Sequence, residues 1–204
     1  MGGLRAKKNI ILQGAPGVGK TFAAKRLAYS MMGVKDASRV MLVQFHQSYS
    51  YEDFIEGYRP TGQGFELVKG AFYSFCKKAA DDEENDYFFI IDEINRGNLS
   101  KIFGELFMLI ESDKRGPKNK LQLLYSLERF YGPRNDHIIG MMNTSDRSLA
   151  LLDYALRRRF AFVELCPAFD SDGFREYCSG LDNPRFEALV REVESLNRAI
   201  AEDE

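Results

Sequence analysis

Gly14-Ala15-Pro16-Gly17-Val18-Gly19-Lys20-Thr21 constrains the fold of this chain more than any other stretch. It fills the pattern G-x-x-x-x-G-K-[ST], between an apolar run at 9–13 and a segment of helical spacing at 20–32. Ala23, Leu27 and Met31 recur four apart on one helix face, and Gly33 follows the end. Strand, glycine-rich turn and helix in that order let successive backbone N–H groups converge on an anion. The helix start adds a partial positive charge at the same point. Lys20 is then a point charge for β- and γ-phosphates, and the Thr21 hydroxyl is a ligand for Mg2+. All eight residues, Gly14, Ala15, Pro16, Gly17, Val18, Gly19, Lys20 and Thr21, are candidates for nucleotide contact.

The rest of the chain alternates strand-like with helix-like runs, the pattern of a mostly parallel sheet covered on both faces. Strands are expected at 9–13, 40–45, 87–91, 137–142 and 160–165. Helices are expected at 20–32, 70–81, 98–111 and 147–158. Leu99, Ile102, Phe103, Leu106, Leu109 and Ile110 form a 3.6-residue stripe that reads as core. Leu121 to Tyr125 and Arg129 to Tyr131 are spaced to pair as a hairpin. Asn183-Pro184 reads as an N-cap followed by proline in the first turn, opening a helix through Phe186, Leu189, Val190, Val193 and Ile200. The expected division is an α/β core over 1–166 and a helical extension over 167–204.

Two further strand ends carry chemistry. Tyr87 to Ile91 is apolar enough to be buried on both faces, and it runs into Asp92-Glu93. Ligands of doubly wound sheets bind at the carboxyl ends of strands. Asp92 is placed there to hold Mg2+ opposite Thr21, and Glu93 to polarise an attacking water as general base. Ile138 to Met142 ends in Asn143, an amide within reach of the γ-phosphate or of the same water. Arg157-Arg158-Arg159 closes the helix expected at 147–158. Its bland role is to complement the helix dipole; its sharper one is an arginine finger acting on a neighbouring subunit's phosphate.

Composition narrows the alternatives. Of 204 residues, 45% are hydrophobic and 28% charged, ordinary for a soluble domain, and the net charge of −2 does not make nucleic acid the default partner. Cys76, Cys166 and Cys178 are odd in number and widely spaced, which suits free thiols in a reducing cytoplasm. With only His46 and His137 available they build no metal site. The longest apolar runs are far too short to span a membrane, and no secretory signal is present. The expected location is the cytoplasm.

Four blocks together resemble the AAA+ superfamily, and more narrowly the McrB-type motor subunit of modified-cytosine restriction systems. They are Gln13 to Lys20, Val43 to Phe54 continuing through Tyr58-Arg59-Pro60, Ile91 to Arg96, and Met142 to Ser148 leading to Ala155 to Phe160. The resemblance covers about positions 7 to 165. It implies a P-loop NTPase with a five-stranded parallel sheet between helices and a partial helical lid at the C-terminus. It makes Lys20 and Thr21 the Walker A pair, Asp92 and Glu93 the Walker B pair and Asn143 the sensor-1 residue. Arg158 and Arg159 become the trans-acting arginines.

The resemblance further implies GTP in place of ATP, a hexameric ring and a nuclease partner subunit, with DNA engaged through the complex. The family's DNA-recognition region would precede this segment, so base recognition is not assigned to these residues. A loop at the ring pore or a contact with the partner is expected for the block from His46 to Pro60. Its aromatics Tyr49, Tyr51 and Phe54 would either stack on a substrate strand or cover the core edge. The motifs alone leave open an ATP-using remodelling ATPase, a nucleotide-dependent interaction module with little hydrolysis, and a small-molecule kinase.

Overall fold

The computed structural model describes residues 7–144 and 154–202, without the side chains of 154–156 and 201–202. Five parallel strands form the central sheet: β1 (Asn9–Gly14), β2 (Val40–Gln44), β5 (Tyr87–Asp92), β8 (Asp136–Asn143) and β9 (Ala161–Glu164). Their order is β2-β5-β8-β1-β9. The chain leaves β1 for the far edge, returns strand by strand to β8 beside it, then crosses to β9 on its other side. The reversal falls at β1, where such sheets open a crevice beyond the strand ends.

Strand alternation divides the core. Ile10, Leu12, Phe88, Ile90, Ile139 and Met141 face helix α1 (Lys20–Met32), which approaches closely through Ala24 and Ala28. Ile11, Phe89, Ile91 and Ile138 face the other way. There they meet α2 (Tyr51–Phe54), α3 (Ala71–Ala80) and α4 (Leu99–Phe103). This second layer is aromatic: Phe54 stacks on Phe72 at 4.8 Å and packs edge-on against Phe103 at 4.7 Å and Phe89 at 5.6 Å. Such ring pairs add to the stabilisation that burial alone provides.

The helix expected at 98–111 is interrupted. The chain leaves the α-helix at Phe103, and Gly104, at φ +52, starts a 3-10 turn through Phe107. A Cβ at Gly104 would sit 3.0 Å from the Tyr51 ring, so close approach of α2 imposes the break. The apolar stripe is nonetheless buried throughout, from Leu99 to Ile110. Periodicity found the buried face and missed the discontinuity. Of the helix expected at 147–158, α5 (Tyr154–Arg159) is described; the remainder lies outside the described residues.

Two hairpins are inserted in the core. Leu121–Gln122 (β6) pairs with Arg129–Phe130 (β7), within the hairpin read from sequence. Glu56–Thr61 (β3) and Gly64–Lys69 (β4) pair antiparallel, a hairpin that sequence reading treated as loop. Its root is fixed by Glu56, fully buried, which accepts Lys69 Nζ at 2.7 Å and the backbone N–H groups of Tyr125 and Ser126. The stacking role weighed for the aromatics before it is corrected here. Phe54 is fully buried, Tyr51 nearly so, and Tyr49 stacks on buried Phe45 at 4.7 Å. They cover the core edge.

The chain divides into two compact units, Met1–Leu165 and Cys166–Glu204. The second contains α6 (Asp172–Leu181) and α7 (Pro184–Glu202). Ser171 caps α6, and Asn183 Oδ1 accepts the N–H groups of Arg185 and Phe186 at the start of α7. Leu189, Val193, Leu196 and Ile200 form an exposed apolar stripe along α7. No helix among the described residues is long and apolar enough to cross a membrane.

His137, in β8, is buried against the Phe88 ring at 4.8 Å, with Nε2 2.9 Å from Asp86 Oδ1. Burial pulls its pKa down to about 4, against the pull of Asp86. The unfolded chain therefore takes up a proton near 6.5 that the folded chain resists to about 4. The resulting stability is complete above pH 6.5 and is lost as pH falls toward 4. In urea unfolding across that window, wild type is expected to lose stability more steeply than His137→Gln. Parallel curves would refute this assignment.

Candidate functional site

The site is assembled where β1, β5 and β8 end side by side. Register pairs Gly14 with Asn143, and Asp92 follows Ile91, which pairs with Gly140. Three neighbouring parallel strands therefore bring the phosphate-loop pattern, the acidic pair and the terminal amide to one edge. A cleft of about 340 Å³ opens there. Pro16, Gly17, Gly19, Lys20 and Thr21 line one wall, Asp92, Glu93 and Asn143 the other.

The loop owes its shape to Gly17 and Gly19, at φ +84 and +83, where a side chain would strain the backbone. Gly19 is also the N-cap of α1, and it offers no side chain to the first turn. No acidic residue stands in that turn either. The helix start thus keeps its N–H groups and partial positive charge for an external anion. Lys20 Nζ donates to Gly14 O at 2.9 Å and Ala15 O at 2.7 Å, which curls the side chain over the loop. Burial lowers the Lys20 pKa, and the nearby carboxylates of Glu93 and Asp92 oppose the shift.

Across the cleft, Asp92 Oδ1 accepts the Glu93 N–H at 3.0 Å. Glu93 itself is held in the left-handed region, at φ +50. Backbone strain of this kind, in a bulky residue, clusters where a side chain must be aimed. Asn143 Nδ2 donates to Glu93 Oε1 at 2.6 Å, while Glu93 Oε2 accepts no hydrogen bond and lies 3.4 Å from Arg96 Nε. One carboxylate oxygen is fixed by the Asn143 amide, and the other is buried beside the Arg96 guanidinium. The Thr21 hydroxyl and Asp92 carboxylate on facing walls fit Mg2+, a hard cation that takes one or two protein oxygens and completes its shell with water and phosphate.

Sequence reading did not find Phe22 and Met142, which also line the cleft, or the role of Arg96 beside Glu93. The i, i+3 spacing of Glu93 and Arg96 was the available signal. The arginines lie elsewhere. Arg159 O accepts from Asn9 Nδ2 at 3.1 Å, at the opposite end of β1 from Gly14. Five residues of strand separate the two, roughly 17 Å at about 3.3 Å each. Arg158 and Arg159 line no part of their own subunit's cleft.

A family model described as the AAA domain, dynein-related subfamily, matches residues 9–160. The chain belongs to this AAA family. Its fold is that of an AAA P-loop NTPase, with the parallel sheet between helices and two further helices at the C-terminus. The AAA chain is 57% identical over 205 residues to the type IV methyl-directed restriction enzyme EcoKMcrB subunit of Escherichia coli strain K12. That alignment covers 98% of this chain and 45% of the relative. It is 27% identical to the type II restriction enzyme BsuMI component YdiS of Bacillus subtilis strain 168, over 78% of this chain and 57% of that one. It is 29% identical to the proteasome-activating nucleotidase of Methanothermobacter thermautotrophicus, over 94% and 40%. The AAA chain thus spans about half the length of these curated relatives.

Proposed function

We propose that the chain is the nucleotide-hydrolysing motor of a cytoplasmic DNA restriction assembly: a Mg2+-dependent AAA+ hydrolase that prefers GTP and works as a hexameric ring with a nuclease partner. The observation that carries hydrolysis is the 2.6 Å bond from Asn143 to Glu93 across a cleft walled by the phosphate loop. The restriction setting and the choice of GTP rest on similarity to the McrB subunit.

In this reading Lys20 and the α1 N–H groups hold the β- and γ-phosphates. Thr21 and Asp92 would hold Mg2+, which would neutralise charge on the phosphate oxygens. Asn143 fixes the Glu93 carboxylate so that it polarises a water in line with the γ-phosphorus. The water oxygen bonds to phosphorus as the bridge to the β-phosphate breaks. The carboxylate receives the water proton, which passes on to the released phosphate. Arg158 and Arg159, remote from their own cleft, serve the site of a neighbouring subunit. The helices of Cys166–Glu204 form part of the lid.

Steady-state phosphate release with GTP and ATP, measured across protein concentration, tests the proposal. GTP-selective turnover that rises per subunit with concentration is expected. Lys20→Ala, the blank, is expected to bind nucleotide at least 10-fold more weakly, since a charge-assisted contact to phosphate is lost. Preference for ATP would replace the motor reading with a general remodelling ATPase. Turnover per subunit that is independent of concentration in a monomer would remove the shared site.

A further inference from the structure

The two arginines at the end of α5 are held unequally. Arg159 is an interior residue: its side chain is 9% exposed, and its guanidinium lies 4.3 Å over the Phe107 ring. Its carbonyl is tied to Asn9 at the start of β1. Arg158 projects outward, with 64% of its side chain exposed. Both guanidiniums converge on a single atom. Glu111 Oε1 lies 3.0 Å from Arg158 Nη2 and 2.8 Å from Arg159 Nη2.

The mount beneath Glu111 is rigid. The carbonyl of the preceding residue, Ile110, accepts Asn9 Nδ2 at 2.8 Å and Arg115 Nε at 3.0 Å. Ile110 and Arg115 are both buried. A carboxylate fixed to such a mount can hold an exposed arginine that would otherwise spread over many rotamers. It also lets two like charges stand side by side at a helix end. Because one oxygen serves both arginines, Arg158 can exchange the carboxylate for a phosphate while Arg159 keeps the carboxylate paired.

We infer that Glu111 is the positioning residue of the arginine pair, with Arg159 as its anchor and Arg158 as the arginine that reaches the neighbouring subunit's nucleotide. This rests on the trans-arginine reading proposed above. Glu111 is not among the residues that line the cleft of its own subunit. It acts on the next site through the direction in which Arg158 points. Misplacing a catalytic group by about an ångström can cost on the order of 100-fold in rate.

The test is complementation in mixed oligomers, read by phosphate release. Glu111→Gln alone is expected to lower kcat roughly 10- to 100-fold with KM for nucleotide unchanged. Glu111→Asp, which keeps the charge, is expected to retain an intermediate kcat and covers the case in which the amide variant folds poorly. Adding excess Glu93→Gln subunits, inactive themselves but carrying an intact Glu111 and Arg158, is expected to restore turnover at the Glu111→Gln sites. Arg158→Ala mixed with Glu93→Gln is the control for the underlying reading. If Arg158→Ala is rescued while the Glu111 variants are not, or keep wild-type kcat, the positioning role is wrong and the trans-arginine reading stands. If Arg158→Ala has wild-type activity or is not rescued, both fall.

Discussion

Glu93→Gln is expected to bind nucleotide as tightly as wild type and to turn it over about 10²- to 10⁴-fold more slowly, the range for loss of a general base. The substitution preserves shape. A glutamine Oε1 still accepts Asn143 Nδ2, now at 2.6 Å from Glu93, and the left-handed backbone at this position is unchanged. What disappears is the charge of the carboxylate, and with it the proposed base. Fluorescent nucleotide titration and single-turnover phosphate release separate the two quantities. A rate within about threefold of wild type would mean that another group polarises the water.

Arg115→Met is expected to have the largest effect on stability. Arg115 is buried at the amino ends of β1 and β8 and donates from all three nitrogens: Nε to Ile110 O, Nη1 to Asp136 O at 2.7 Å, and Nη2 to Asn9 Oδ1 at 2.7 Å. Its charge faces the fully buried Asp136 carboxylate at 3.3 Å. Removing one partner of such a pair leaves the other charge uncompensated and costs about 3–5 kcal/mol.

The pH dependence carries a sign. Burial already pushes the Asp136 carboxyl up to about 6 despite Arg115. Without the arginine it moves higher, so at low pH the carboxyl accepts a proton and the penalty shrinks. The loss measured by urea unfolding is therefore expected to be larger at pH 8 than at pH 5. Arg115→Met combined with Asp136→Asn should recover part of it. A loss below about 1 kcal/mol at pH 8 would show that the pair is not holding this end of the sheet.

The difference between these residues also explains how far the sequence could be read. The convergence of Lys20, Asp92, Glu93 and Asn143 on one cleft was legible because each stands at or beyond the end of a buried strand, and neighbouring parallel strands end at one edge. Local pattern then carries three-dimensional information. Arg115 was not, because it stands in a polar run, Asp113 to Lys120, that reads as a turn region. Its burial comes from partners at Asn9 and Asp136, distant in the chain, which no local spacing reports.

The hairpin Glu56–Thr61 with Gly64–Lys69 escaped for a related reason. Pro60 and exposed positions that mix polar residues with Tyr58, Phe65 and Val68 weaken the strand pattern, while the group that fixes its root is a buried glutamate. The break at Gly104 depends on a ring from another helix, so the periodic stripe could not disclose it. Glu111 closes the segment expected to be helical, and nothing in its local sequence signals that both arginines meet on it.

The glycine cap of α1 has a consequence for the lifetime of the folded subunit. A helix that begins on glycine, without a side-chain acceptor, forgoes only about a few tenths of a kcal/mol relative to a serine or aspartate cap. Under the proposed function, that deficit is made good by the phosphate chain. Each tenfold excess of nucleotide over its dissociation constant then adds about 1.4 kcal/mol to folding, because only the native state can bind it. The subunit would resist unfolding and proteolysis in well-energised cells and become vulnerable when triphosphate pools fall. Gly17, Gly19 and Lys20, which would hold the phosphates, would thereby tie the abundance of the protein to the metabolic state of its host.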